Sequence, residues 1–209
     1  MLKIRASSLG LIMTEPKLKT EVLSVGAKTY IKKLAKEFVY GYDEIITSKY
    51  MDKGIQVEDE SISLYNRVFL TDHSKNTERK TNEWITGECD IFTGSKVIDI
   101  KSSWSLATFP CFKEDATDKQ YEWQLRAYMM LWDCNEAELA YCMVSTPDEL
   151  IKYEQIDMHL VDGIDESLRI TVNKFERDLE LEELIKTKCT AAQIYFNQLC
   201  DQIANEHNY

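Results

Sequence analysis

Apolar residues recur every three or four positions over much of the chain, which is the pattern of helices with one buried face. This spacing predicts helices over residues 20–39, 48–65, 118–132 and 177–207. A shorter helix is expected to open at residues 4–8, where a serine is placed to cap it.

Between these helices the pattern shortens to that of β-strands. Residues 84–92 and 96–101 flank a Thr-Gly-Ser turn, which predicts a hairpin. Residues 139–144 predict a buried strand, and residues 153–158 and 167–175 predict two more. Helices on either side of a block of strands indicate an α/β or α+β fold. We expect the α/β class, with a central mixed β-sheet flanked by helices.

The length of 209 residues suits a single domain. Its expected parts are helices over about residues 1–66, a sheet with its helices over about 80–175, and a helical region over about 177–207. No apolar run approaches the ~20 residues that cross a bilayer, and the start lacks the core of a signal peptide. The sequence therefore predicts a cytoplasmic protein without membrane association.

Charge and cysteine usage narrow the possible functions. The net charge of −11 disfavours nucleic acid as a partner, because nucleic-acid binders usually carry a basic surface. Net charge does not fix local fields, however, and two bound divalent cations would add about +4 inside a cleft. The six cysteines show no paired metal-binding spacing, so we expect free thiols rather than a zinc ribbon or an iron–sulfur cluster.

Two acidic residues of the predicted hairpin form a candidate metal site. Side chains alternate along a strand, so Asp99 and Lys101 project to one side, and the hairpin brings Asp90 close to them. Carboxylates on adjacent strands suit Mg²⁺ or Mn²⁺ better than Zn²⁺, and the carbonyl of Ile100 could add a ligand. Lys101 could orient an attacking water beside the cations.

An Asp-x-Lys tripeptide is common on exposed strands, so this prediction depends on the residues that accompany it. Glu58 lies upstream, where a further metal-binding carboxylate would be needed, although it also fits a solvated helix charge. Gln124 and Tyr128 share one helix face, which suits contact with a phosphate or the lysine but also fits an ordinary polar pair. The complete order of motifs is much harder to explain by chance.

These motifs resemble those of the lambda-exonuclease-like branch of the PD-(D/E)xK superfamily, the viral recombination nucleases also called YqaJ-type. The resemblance spans nearly the whole chain and implies a restriction-endonuclease-like core. The matching segments are Ile4-Arg5-Ala6-Ser7, Lys53-Gly54-Ile55-Gln56-Val57-Glu58, Gly87-Glu88-Cys89-Asp90, Ile98-Asp99-Ile100-Lys101, Tyr121-Glu122-Trp123-Gln124-Leu125-Arg126-Ala127-Tyr128 and Phe175-Glu176-Arg177-Asp178.

The resemblance assigns roles to individual residues. It implies two Mg²⁺ ions, with Mn²⁺ as a substitute, held by Glu58, Asp90, Asp99 and the Ile100 carbonyl. Lys101 would activate water and Gln124 would support the site. Arg5, Ser7 and Tyr128 would bind DNA or its 5′-phosphate.

The resemblance also implies resection of linear double-stranded DNA from a 5′ end in phage-type recombination. Possible partners are a single-strand annealing protein and further copies of the chain, which would form a trimeric ring. A phage-encoded protein would work in the cytoplasm of its bacterial host.

Three departures from the family pattern bear on the site. Cys89 replaces the proline of the motif, and Asp99 stands where many relatives carry the longer glutamate. Relatives place an arginine upstream of Ser7, against the phosphate. In this sequence the only basic residues before Ser7 are Lys3 and Arg5. Dependence on a 5′-phosphate is therefore open.

Two other functions fit the sequence. A RecB/Cas4-like nuclease acting on single strands or flaps would share the Gln-x-x-x-Tyr pair, but such relatives often carry a four-cysteine cluster that this chain lacks. A catalytically idle DNA-binding subunit would suit the acidic composition. Retention of the metal-binding carboxylates together with Lys101 disfavours it.

Overall fold

The computed structural model describes residues 2–207 and contains seven α-helices and seven β-strands in that range. Their order is β1 Ile4–Arg5, α1 Leu9–Ile12, α2 Val25–Tyr40, α3 Lys49–Gln56, α4 Glu58–Phe69, β2 Lys80–Thr81, β3 Ile85–Gly87, β4 Ile91–Phe92, β5 Lys96–Ser102, α5 Lys119–Trp132, β6 Glu136–Cys142, α6 Asp148–Ile151, β7 Ile170–Glu176 and α7 Leu179–His207.

The strands form two mixed sheets. The larger has the order β4-β5-β6-β7, in which β5 and β6 run parallel and both outer strands are antiparallel to their neighbours. The smaller has the order β1-β3-β2. Helices α4 and α5 both pack on β5 and β6. The structure thus confirms a mixed α/β fold with helices flanking the sheets, although the strands divide between two sheets.

Side-chain alternation along β5 determines where the polar residues point. Ile98 and Ile100 belong to an apolar cluster with the residues of α4, whereas Val97 belongs to the cluster that contains the residues of α5. Asp99 and Lys101 therefore share the α5 side with Val97, as the sequence predicted. Two charged groups are therefore held on the side of β5 that faces α5.

The helix predicted over residues 48–65 is interrupted at Val57, whose φ of −110° and ψ of 16° end α3 and begin α4. Ile62 and Tyr65 of the predicted apolar face are buried, but Met51 and Ile55 are exposed. Both of them line an open cavity rather than the core. The apolar spacing therefore predicted the buried face correctly only for α4.

Three further predictions of secondary structure need correction. The strand predicted over residues 153–158 is wrong, because that segment is irregular and ends in a 3-10 turn at Ile156–Met158. The predicted strand 84–92 is two strands, β3 and β4, in different sheets. The first helix starts at Ala6 instead of Ile4, because Ile4 and Arg5 pair with β3 as a strand.

The remaining expectations concern the last helix, the cysteines and the membrane. Helix α7 runs unbroken, and Arg177 at its approach forms ion pairs with Glu182 at 2.6 Å and Asp133 at 2.5 Å. All six cysteines are free thiols, as predicted. Within residues 2–207 no helix combines the length and apolarity required to span a bilayer.

Candidate active site

A cavity of about 670 Å³ lies at the carboxyl end of β5, between α3 and α5. Its walls bring together six of the residues predicted from the sequence: Glu58, Asp90, Asp99, Ile100, Lys101 and Gln124. The parallel pairing of β5 and β6 explains the location, because the carboxyl ends of both strands meet at one edge of the sheet.

Asp90 is fixed by the edge of β5. Strand β4 pairs with β5 only through Ile91 and Phe92, so the amide of Ile100 lies beyond the ladder. The Asp90 carboxylate accepts that N–H at 2.6 Å. Since the N–H and C=O of one strand residue point to the same side, the Ile100 carbonyl faces the same edge as Asp90.

Asp99 is almost completely buried, with 1% of its surface exposed. Its Oδ1 accepts a hydrogen bond from the Gln124 amide at 3.2 Å. Its Oδ2 lies 2.7 Å from the Lys101 ammonium as an ion pair, but receives no hydrogen bond from the described residues. The Lys101 ammonium also lies 4.6 Å from the centre of the Tyr121 ring, which holds it by a cation–π contact.

The electrostatics of this group favour a bound cation. Burial, reinforced by the Asp99 charge, raises the pKa of Asp90 to about 7. Burial opposes the charge of Lys101, but the two carboxylates outweigh it and raise its pKa. The buried carboxylate of Asp99 and the partly buried carboxylate of Asp90 fit the hard-oxygen coordination of Mg²⁺ or Mn²⁺.

Glu58 lines the same cavity but is engaged elsewhere. It is the first residue of α4, and its carboxylate accepts a hydrogen bond from Lys75 at 2.6 Å. Within residues 2–207 no three His, Cys, Asp or Glu side chains are arranged to hold one metal ion. Glu58 therefore lines the cavity with Asp90 and Asp99, but its carboxylate is paired with Lys75.

The predicted phosphate-binding residues lie in a second cavity of about 420 Å³. Arg5, Ser7 and Tyr128 all line it, together with Arg79. The Tyr128 hydroxyl accepts a hydrogen bond from Gln124 at 2.8 Å, so Gln124 contacts both Tyr128 and Asp99. This pair of contacts connects the two cavities.

Gly87 allows Tyr128 to close the second cavity. A Cβ at this position would lie 2.8 Å from both the Cβ of Ala6 and the Cε1 of Tyr128, which is closer than side-chain atoms approach. Any larger residue at position 87 would clash with Ala6 and Tyr128, which explains the glycine of the Gly87-Glu88-Cys89-Asp90 segment.

Several site residues were missed by the sequence reasoning. Tyr121 precedes Gln124 by three positions on α5, so helical spacing could have identified it. Lys75 and Arg79 lie in a segment without apolar periodicity, and no local signal marked them. Lys53 is fully buried, although a lysine in a polar helix segment predicts an exposed side chain.

Comparison with solved structures identifies similar proteins. The chain is similar to a phage-related exonuclease from Haemophilus somnus 129PT, with 36% identity over 97% of this chain and 96% of that one, at a TM-score of 0.91. The chain belongs to the phage-related, lambda-exonuclease-like nucleases. Identity at this level over nearly the full length also confirms the resemblance drawn from the motifs.

More distant structures share the fold of this nuclease. An alkaline exonuclease from Laribacter hongkongensis (LHK-Exo) matches at 15% identity, covering 98% of this chain and 92% of that one, with a TM-score of 0.72. The same enzyme in complex with dAMP gives the same values. Neither protein-family models nor curated proteins gave a match.

Replacing Asp90 by Asn should stabilise the metal-free nuclease at alkaline pH. The folded protein keeps a proton on Asp90 up to about pH 7, whereas an unfolded chain releases it near about pH 4. Wild-type stability therefore falls as the pH rises through this window. In urea unfolding with EDTA, Asp90→Asn should exceed wild type by about 2 kcal/mol at pH 8, and this gain should shrink towards pH 5.

The matched control is Asp59→Asn, at an exposed aspartate in the first turn of α4. Its free energy of unfolding should show no gain over wild type that increases with pH. If Asp90→Asn is no more stable than wild type at pH 8, the carboxylates of Asp90 and Asp99 do not strain the metal-free fold.

Proposed function

We propose that this nuclease is a Mg²⁺-dependent exodeoxyribonuclease that resects linear double-stranded DNA from a 5′ end, as phage-type recombination requires. The observation that carries this proposal is the placement of Asp90, Asp99 and Lys101 in one cavity, where the two carboxylates could bind a cation. We also propose that the larger sheet and its helices form a restriction-endonuclease-like core within a single domain.

The residues of the cavity divide the chemistry between them. Asp90, Asp99, the Ile100 carbonyl and, once freed from Lys75, Glu58 would hold two Mg²⁺ ions, which when bound neutralise charge on the scissile phosphate. Lys101 orients the attacking water through its ammonium group. Gln124 keeps the Asp99 carboxylate in place, and Tyr121 keeps Lys101 directed into the cavity.

The second cavity supports action at a 5′ end. Arg5 and Arg79 bring two guanidinium groups to it, and Ser7 and Tyr128 bring hydroxyl groups. Glu88 also lines it and pairs with Arg79 at 3.2 Å, and a terminal phosphate would replace this carboxylate as the partner of Arg79. Arg79 lies just before β2 and supplies a second guanidinium group in addition to that of Arg5. LHK-Exo binds dAMP, and a 5′-mononucleotide of that kind would be the product of the reaction proposed here.

The assembled cavity disfavours an idle DNA-binding subunit. The Gln124–Tyr128 contact is also compatible with a nuclease for single strands or flaps, so substrate preference has to be measured. A trimeric ring, a single-strand annealing partner and a cytoplasmic location stay predictions from the family resemblance.

Lys101→Ala should abolish digestion while leaving the fold intact. Loss of the group that orients the water should lower the rate on linear duplex DNA at least about 100-fold. The measurement is release of label from duplex ends in Mg²⁺ or EDTA, with Lys36→Ala as a control at an exposed lysine of α2. Full activity of Lys101→Ala, or digestion in EDTA, would contradict the proposal.

Arg79→Gln should reduce the preference for a 5′-phosphorylated end. A charge-assisted hydrogen bond to the phosphate would be lost, so the ratio of kcat/KM for phosphorylated over hydroxyl ends should fall about tenfold. Arg67→Gln is a matched control, because both arginines are about half exposed and each forms one surface ion pair, with Glu88 and Glu166 respectively. Equal ratios for wild type and Arg79→Gln would remove Arg79 from the phosphate site.

A further inference from the structure

Helix α3 forms one wall of the active-site cavity but has little apolar attachment to the protein. Tyr50, Met51 and Ile55 of this helix line the cavity, and each exposes more than half of its surface. The only residue of α3 that is buried is Lys53, whose side chain is completely inaccessible. A helix is normally fixed by an apolar stripe, so the attachment of α3 needs another explanation.

The ammonium group of Lys53 supplies that attachment. It donates hydrogen bonds to the carbonyls of Ser103 at 2.6 Å, Trp104 at 3.2 Å and Val144 at 2.9 Å. Three acceptors use all three protons of the ammonium, which is the condition for burying a lysine without a carboxylate partner. Burial lowers the pKa of Lys53 to about 8, so the group still carries its charge at neutral pH.

The three acceptors lie where the active site is built. Ser103 and Trp104 follow Lys101 almost directly, and Val144 comes just after β6. The Tyr50 ring meets the Trp104 ring edge to face, with centroids 5.4 Å apart. One side chain therefore joins the wall of the cavity to the ends of both parallel strands.

The cavity side of α3 leaves space beside this anchor. Gly54 lines the cavity, and a Cβ there would meet no atom within 4 Å. The opposite wall carries Lys101, Tyr121 and Gln124. The separation of the two walls determines what can lie between them, and Lys53 supplies the buried hydrogen bonds that attach α3 to the backbone just beyond β5 and β6.

We propose that Lys53 is a positioning residue that holds α3 at the distance from Lys101 at which one DNA strand fits the cavity. This inference rests on the proposed exonuclease function. Lys53 acts through α3 and the backbone of residues 103–104, and does not touch the reacting atoms. Its loss should therefore weaken strand binding while leaving metal binding intact.

Lys53→Met removes the ammonium group but keeps a side chain of similar length. Lys53→Gln keeps two N–H donors on a shorter side chain. We expect KM for 5′-phosphorylated duplex ends in Mg²⁺ to rise at least tenfold in Lys53→Met and less in Lys53→Gln, with kcat within threefold of wild type. The Kd for Mn²⁺ should stay within twofold. Lys36→Met, at an exposed lysine of α2, should match wild type.

Amide hydrogen exchange gives a readout that does not depend on activity. Exchange in α3 should accelerate at least tenfold in Lys53→Met, and to a smaller extent in the milder Lys53→Gln, while exchange in α5 stays unchanged. Unchanged α3 exchange, or wild-type KM with only a lower Tm, would overturn the proposal. A parallel loss of kcat and Mn²⁺ affinity would overturn it too, because Lys53 would then act on the metal site. Failure of the wild-type chain to cut DNA at all would instead count against the proposed function.

Discussion

The structure of the active site depends on holding two carboxyl groups together in a largely buried place. The Asp99 charge disfavours a charge on Asp90, and burial increases the cost of charging Asp90. The backbone N–H of Ile100 binds Asp90, while the Gln124 amide and Lys101 bind Asp99. A bound cation would convert this repulsion into attraction.

The fold provides this arrangement through the unequal lengths of its strands. Because β4 ends its pairing early, the amide of Ile100 is left for Asp90, and because β5 and β6 are parallel, their carboxyl ends open together into one cavity. Helix α5 closes one side through Gln124, and α3 closes the other through Lys53. The same Gln124 contacts Tyr128 and so joins the cavity to the polar pocket around Arg5 and Arg79.

The sequence predicted those parts of the molecule whose signals are local. Helix α5 was recognised by its spacing, and Asp118 caps it through its side chain as local rules require. The motifs placed Asp90 and Asp99 correctly in one cavity. The break between α3 and α4 falls at Val57, where neither glycine nor proline indicates it. The burial of Lys53 depends on carbonyls that lie fifty or more residues away in the sequence. Arg79 likewise reaches its pocket only through tertiary packing.

Anomalous diffraction from a crystal soaked in Mn²⁺ tests the central claim most directly. The account predicts one or two Mn²⁺ peaks at coordination distance from both Asp90 and Asp99, with the Ile100 carbonyl among the ligands and Glu58 released from Lys75. The same crystal of Asp99→Asn should show weaker peaks or none. Absence of Mn²⁺ between Asp90 and Asp99 at millimolar concentration in the wild-type crystal would contradict the account.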